Sequence, residues 1–182
     1  LKVEAPPLAG QREAGLGLPT KGGASKEEVA FNALDRNKKS IALNLKTDQG
    51  KRIFYQLAQR YDVIMECFRP GVAERLGVDY ARVRRANPRL VYCSLSGSGQ
   101  TGPKRAQPGH DINFIAAAGV LGLIGGKGKK PSIPLNIIGD YAGGSLFAAV
   151  GILAALRARE ATGKGQQVDI AMRDGAIALL MA

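Results

Sequence analysis

Short apolar runs alternate with amphipathic stretches along most of this chain, and their spacing predicts the elements. Residues 1–3 read as the end of a strand, and residues 40–45 alternate with the period of two that suits a sheet. Thr47 or Asp48 can cap a helix reaching about Arg60, with Ile53, Phe54, Leu57 and Ala58 as its apolar stripe. Residues 61–66 form a short strand buried on both faces, broken by Pro70-Gly71. Val72–Leu76 and Tyr80–Ala86 read as short helices, the second ended by Asn87-Pro88 because a residue before proline leaves the helical region. Residues 90–95 make a further strand. A helix opens after His110 with Ile112, Phe114, Ile115 and Ala118 in its pattern, and a second runs from near Asp140 to about Glu160. Gly163 and Gly165 turn the chain into a strand over 167–170, and Met172 begins a last helix. Residues 8–30, rich in Gly, Pro, Ala and charge, keep no period and read as a long surface loop.

Strands alternating with helices imply a parallel sheet in an α/β domain. The loop at residues 96–103 follows the carboxyl end of a strand, where open α/β sheets bind ligands. A length of 182 residues suits about one domain. The chain begins without Met, and residues 179–182 stop inside an apolar pattern, so a fragment of a longer protein is expected. The most apolar stretch, residues 137–156, is interrupted by Asp140 and four glycines and reads as a buried helix with its approach, not a membrane span.

Cys67 and Cys93 are too few for a disulfide framework or a metal site and read as reduced, buried residues, which fits a cytosolic or organelle-matrix compartment. The net charge is +11. Its basic residues are scattered and do not interleave with aromatics, so a phosphorylated small ligand accounts for them better than nucleic acid.

His110 is the one histidine in the chain and sits at a loop-to-helix junction after Gly109. Its side chain is suited to proton exchange near neutral pH, while on composition alone a capping or surface role is the simpler reading. Asp140 lies among apolar residues and glycines, as an N-cap of the following helix or as a functional acid. Asp111 is expected to begin the preceding helix with capping as its default role. Gly97, Gly99 and Gly102 match no nucleotide-binding fingerprint.

Several segments together resemble the class III coenzyme A transferases and their relatives, the α-methylacyl-CoA racemases. They are residues 37–46 (NKKSIALNLK), 62–77 (DVIMECFRPGVAERLG), 87–103 (NPRLVYCSLSGSGQTGP) and 162–174 (TGKGQQVDIAMRD). Residues 108–114 (PGHDINF) and 134–144 (PLNIIGDYAGG) are similar to the racemase branch. The resemblance implies a Rossmann-like large α/β domain, here incomplete at both ends, without the family's first strand and helix or its small domain. In the full-length family two subunits are interlaced.

The resemblance further implies His110 and Asp140 as the catalytic pair, with Asp111 beside them. It places coenzyme A near Leu43, Asn44, Leu45, Lys46, Cys67, Phe68, Arg69, Arg75 and Leu76. Lys46 and Arg75 are phosphate partners in this reading, and Leu43, Phe68 and Leu76 pack on adenine or pantetheine. Gly109, Ile112, Asn113 and Phe114 would line the thioester end. No cofactor beyond the substrate's own coenzyme A is expected, and no metal. The implied reaction is α-proton exchange on a 2-methylacyl-CoA, with backbone N–H groups at the helix starts near His110 and behind Asp140 steadying the enolate. The alternative is coenzyme A transfer, with Asp140 as nucleophile.

Overall fold

The computed structural model describes residues 1–6 and 36–181, so the expected loop over 8–30 lies outside the described residues. The chain divides into two compact units, Leu1–Phe54 and Tyr55–Ala182. In the first, β1 (Lys2–Glu4) pairs in parallel with β2 (Ser40–Ala42), Val3 opposite Ile41. The alternation that suggested a strand to residue 45 outruns this partner, and the pairing ends as the Leu43 N–H donates to the Glu4 carbonyl at 2.8 Å. The Asn44 carbonyl then accepts the Thr47 hydroxyl at 2.8 Å, turning the chain into α1 (Asp48–Ala58). Thr47 is the cap, its hydroxyl oxygen accepting the Gly50 N–H at 3.1 Å. Phe54 and Ala58 of the expected stripe are buried, and Ile53 and Leu57 half-buried.

The second unit is built on a parallel sheet of order β3-β4-β5, with β3 at Val63–Glu66, β4 at Val91–Ser96 and β5 at Gln167–Ala171. Burial on both faces, expected for the strand at 61–66, belongs instead to β4, which is buried along its whole length. β3 pairs with β4 alone among the described residues, and its Met65 is 46% exposed. Between β3 and β4 lie α2 (Val72–Leu76) and α3 (Tyr80–Ala86), as the pattern predicts. Left-handed glycines, Gly71 (φ 87°) and Gly77 (φ 74°), bracket α2. Cys93 on β4 is buried as expected, whereas Cys67 is exposed because it lies just past the end of β3.

After β4 come α4 (Asp111–Ala117), a 3₁₀ turn at Val120–Leu123 and one helical run from Ile137 to Thr162. The first part of that run, Ile137–Leu146, is wound as a π-helix, and the rest is α5 (Phe147–Thr162). α6 (Met172–Ala178) packs on the π-helix backbone to backbone. A Cβ on Gly175 would lie 2.0 Å from the Gly143 carbonyl oxygen, and one on Gly143 would lie 2.7 Å from the Ala176 nitrogen. The helix is therefore not the wholly buried one expected from residues 137–156. Its glycine side meets α6 and the sheet, while Leu146, Val150 and Leu153 are exposed. By length and composition alone the run is long and apolar enough to cross a membrane.

The turn before β5 closes the unit. The Gly165 N–H donates to the Pro88 carbonyl at 2.8 Å, and Arg159 pairs with Asp62 at 3.0 Å. A Cβ at Gly165 would lie 2.0 Å from the Leu90 carbonyl oxygen, so this turn admits only glycine at that approach.

Candidate active site

Ile115, Val120 and Ala176 form a small buried cluster against which Ile138 packs, fixing α4 beside the start of the π-helix. His110 precedes α4 with extended backbone, and its N–H donates to the Asn113 side-chain oxygen at 3.0 Å. His110 is thus the N-cap, and its side chain is on the exposed surface. Asp111 begins the helix as expected, but its carboxylate does not cap α4. Only 4% exposed, it turns to the π-helix, where Oδ2 accepts the N–H groups of both Gly139 and Asp140 at 2.7 Å. First-turn N–H groups have no acceptor within their own helix, and a negative charge there is favourable. Gly139 permits the approach, since a Cβ would stand 2.9 Å from the same oxygen. The other oxygen, Oδ1, is buried without a hydrogen-bond partner.

Asp140 lies inside the first turn of the π-helix and is half-buried, so the expected N-cap position falls to Asn136. Burial raises its carboxyl above the usual range, and the charge of Asp111 raises it further. A side-chain hydrogen bond with Asn136 and the charge of His110 act in the opposite direction. His110, Asp111 and Asp140 are therefore gathered at one junction. The expectation that N–H groups behind Asp140 serve an enolate is corrected for Gly139 and Asp140, because Asp111 occupies both. At the head of α4 the Asp111 and Ile112 N–H groups have no partner among the described residues.

Phe114 knits this junction to the loop after β4. A Cβ on Gly97 would lie 2.1 Å from its ring, and one on Gly109 would lie 2.7 Å away. The loop is also held by Asp169, whose carboxylate oxygens accept the Gln100 N–H at 3.0 and 3.2 Å, and by the Arg173 N–H donating to the Gly97 carbonyl at 3.1 Å. Gly109 and Ile112 are half-buried and Asn113 is exposed. Asn136, Gly139 and Asp169 escaped the sequence reading. The first two flank Asp140 and share its motif, whereas nothing in the alternating strand marks Asp169.

The residues assigned to coenzyme A fall in both units. In the first, Leu43 is buried, Leu45 half-buried, and Asn44 and Lys46 exposed, with the Lys46 N–H donating to the Asn44 side chain at 3.1 Å. In the second, Cys67, Phe68, Arg69 and Arg75 are exposed and Leu76 is half-buried. Glu66 steadies their segment by accepting the Phe68 N–H at 2.7 Å. A cavity of about 130 Å³ beside it is lined by Glu66, Arg69, Glu74, Tyr80 and Gln100, and a groove of about 450 Å³ by Ser98, Thr101, Phe147, Asp169 and Arg173. Of the assigned residues, only Arg69 lines either one.

The profile of CoA-transferase family III matches residues 1–182. This chain belongs to that family. The human alpha-methylacyl-CoA racemase is 46% identical over 142 residues, covering 78% of this chain and 37% of the racemase. The acetyl-CoA:oxalate CoA-transferase of Acetobacter aceti is 41% identical over 155 residues, covering 85% of this chain and 40% of the transferase. A CAIB/BAIF family protein from Brucella suis superposes with a TM-score of 0.81 at 32% identity, over 98% of this chain and 47% of that one. The chain thus spans less than half the length of these relatives.

Membership in family III bears out the family and the fold inferred from the sequence segments. The family III relatives are enzymes, and they include both racemases and CoA-transferases, so membership alone does not choose the reaction.

Proposed function

We propose that the complete protein exchanges the α-proton of a 2-methylacyl-CoA thioester through an enolate, with His110 and Asp140 as its acid–base pair. The observation that carries this reading is the junction at Asp111, which gathers the lone histidine and a half-buried carboxyl. A neutral imidazole removes the α-proton from one epimer, leaving the electron pair delocalised onto the thioester oxygen. A protonated carboxyl on the other side returns a proton to the opposite face, and the roles exchange in reverse. Burial and the charge of Asp111 both favour the protonated form of Asp140, the direction an acid in this role needs. The N–H groups of Asp111 and Ile112, without a partner among the described residues, are donors available to the enolate oxygen. Lys46 in the first unit and Arg75 in the second are exposed cations, each suited to a phosphate of coenzyme A, and in this reading the complete protein works as an interlaced dimer.

A second reading rests on the Acetobacter transferase likeness. In it the Asp140 carboxylate attacks the thioester carbonyl, expelling coenzyme A thiolate and leaving a mixed anhydride. The thiolate then attacks the aspartyl carbonyl, releasing the first acid and leaving coenzyme A on Asp140 for transfer to a second acid. Incubation of the complete protein with a 2-methylacyl-CoA in deuterium oxide separates the two. α-Deuteration without any acceptor acid is expected. Rapid transfer of coenzyme A to an added acid, with the α-hydrogen retained, would establish the second reading.

A further inference from the structure

Asp111 is a buried charged side chain whose task is not explained by the helix it begins. Its carboxylate makes no bond to the head of α4 and spends one oxygen on the Gly139 and Asp140 N–H groups, both at 2.7 Å. Its second oxygen is buried with no partner. A buried carboxylate oxygen without a donor is costly, and a neutral amide side chain would accept the same two N–H groups without burying a charge.

We propose that the Asp111 side chain is a positioning group: it does not touch substrate and acts on the chemistry only through Asp140, whose backbone it pins to the start of the helix that follows His110. This rests on the acid–base reading of Asp140 given above. Because the pinned peptide is that of Asp140 itself, loss of the bond moves the reacting carboxyl and not merely a neighbour. Gly139 is the required companion, since a side chain there would collide with the Asp111 carboxylate.

The charge has a second consequence. The elements packed against the π-helix bring Arg173 and Asp174 on α6, Asp169 on β5, and His110 and Asp111 at the head of α4. Of these, Asp111 and His110 act on the Asp140 carboxyl, Asp111 favouring its protonated form and His110 its ionised form. Asp111 therefore both holds the acid in place and helps it keep its proton.

The test uses the complete protein and two variants, Asp111→Asn and Asp111→Ala. In Asp111→Asn the two N–H acceptors survive and the charge is lost. The Asp140 carboxyl, followed by ¹³C NMR titration of labelled aspartate, should then titrate at lower pH than in the wild type. Where α-proton exchange is measured, the pH limb due to Asp140 should move the same way. In Asp111→Ala exchange should fall about 100-fold in kcat, as for a reacting group moved by about an ångström, while coenzyme A binding is kept. An unmoved Asp140 titration in Asp111→Asn, or full kcat in Asp111→Ala, overturns the proposal. Absence of exchange in the wild type would overturn the acid–base reading instead, and the NMR titration still decides the role of Asp111.

Discussion

The junction of α4 with the π-helix and the segment from Glu66 to Leu76 are both assigned to the ligand, yet they are built in opposite ways. At the junction the functional groups are tied across long stretches of sequence. Asp111 reaches Gly139 and Asp140, Phe114 lies against Gly97, and Gly143 touches Gly175 through backbone atoms. Glu66 ends β3 opposite Ser94, but along residues 67–76 the ties are local, Phe68 to Glu66, Glu74 to Arg82 and glycines at the two ends of α2, and Phe68, Arg69 and Arg75 are exposed. In the proposed reading, chemistry that needs two groups fixed relative to each other falls to the stiff region, and recognition of a flexible, charged nucleotide falls to the exposed side chains.

The contrast can be broken most severely at the glycine contact. Gly175→Ala should destabilise the protein by about 3 kcal/mol or more in denaturant unfolding, because its methyl has no space to relax into. Asp111→Ala should cost roughly 1–3 kcal/mol for leaving buried donors unpaired. Arg75→Ala should lie within about 0.5 kcal/mol of wild type in the same experiment. Calorimetry should then show the reverse order for coenzyme A, with Arg75→Ala or Lys46→Ala weakening binding about tenfold through a lost charge-assisted phosphate contact, and Asp111→Ala leaving it unchanged.

The smallest effect concerns Asp140 itself. Its folded carboxyl is raised above the ordinary value, so the stability it contributes is fully present below the ordinary carboxylate pKa. That contribution is lost as pH rises through the raised folded value. At neutral pH the ionised group is therefore a net cost, and Asp140→Asn should raise Tm slightly there, with no gain in acid.

The period-two and helical patterns located β4, α2, α3, α4 and α6 because in each the burial side is set by local spacing. They misjudged what depends on neighbours. The strand over 61–66 was expected to be buried on both faces, although a period alone cannot tell an edge from a centre. The exposed side of α5 and the early start of its helix at Ile137 likewise depend on packing partners far away in the sequence. At the candidate site, His110 and Asp140 were singled out by their motifs, but the bond that ties their two segments together was not. It runs from a carboxylate expected to cap its own helix to a glycine with no mark beyond its smallness.

The central claim is that His110 and Asp140 serve opposite faces of one α-carbon. Deuterium uptake by each separated epimer of a 2-methylacyl-CoA, followed in the complete protein and in His110→Ala and Asp140→Ala variants, tests it directly. The account predicts that wild type deuterates both epimers and that each variant loses proton abstraction from a different one. Loss of the same epimer in both variants, or uptake undiminished in either, would contradict it.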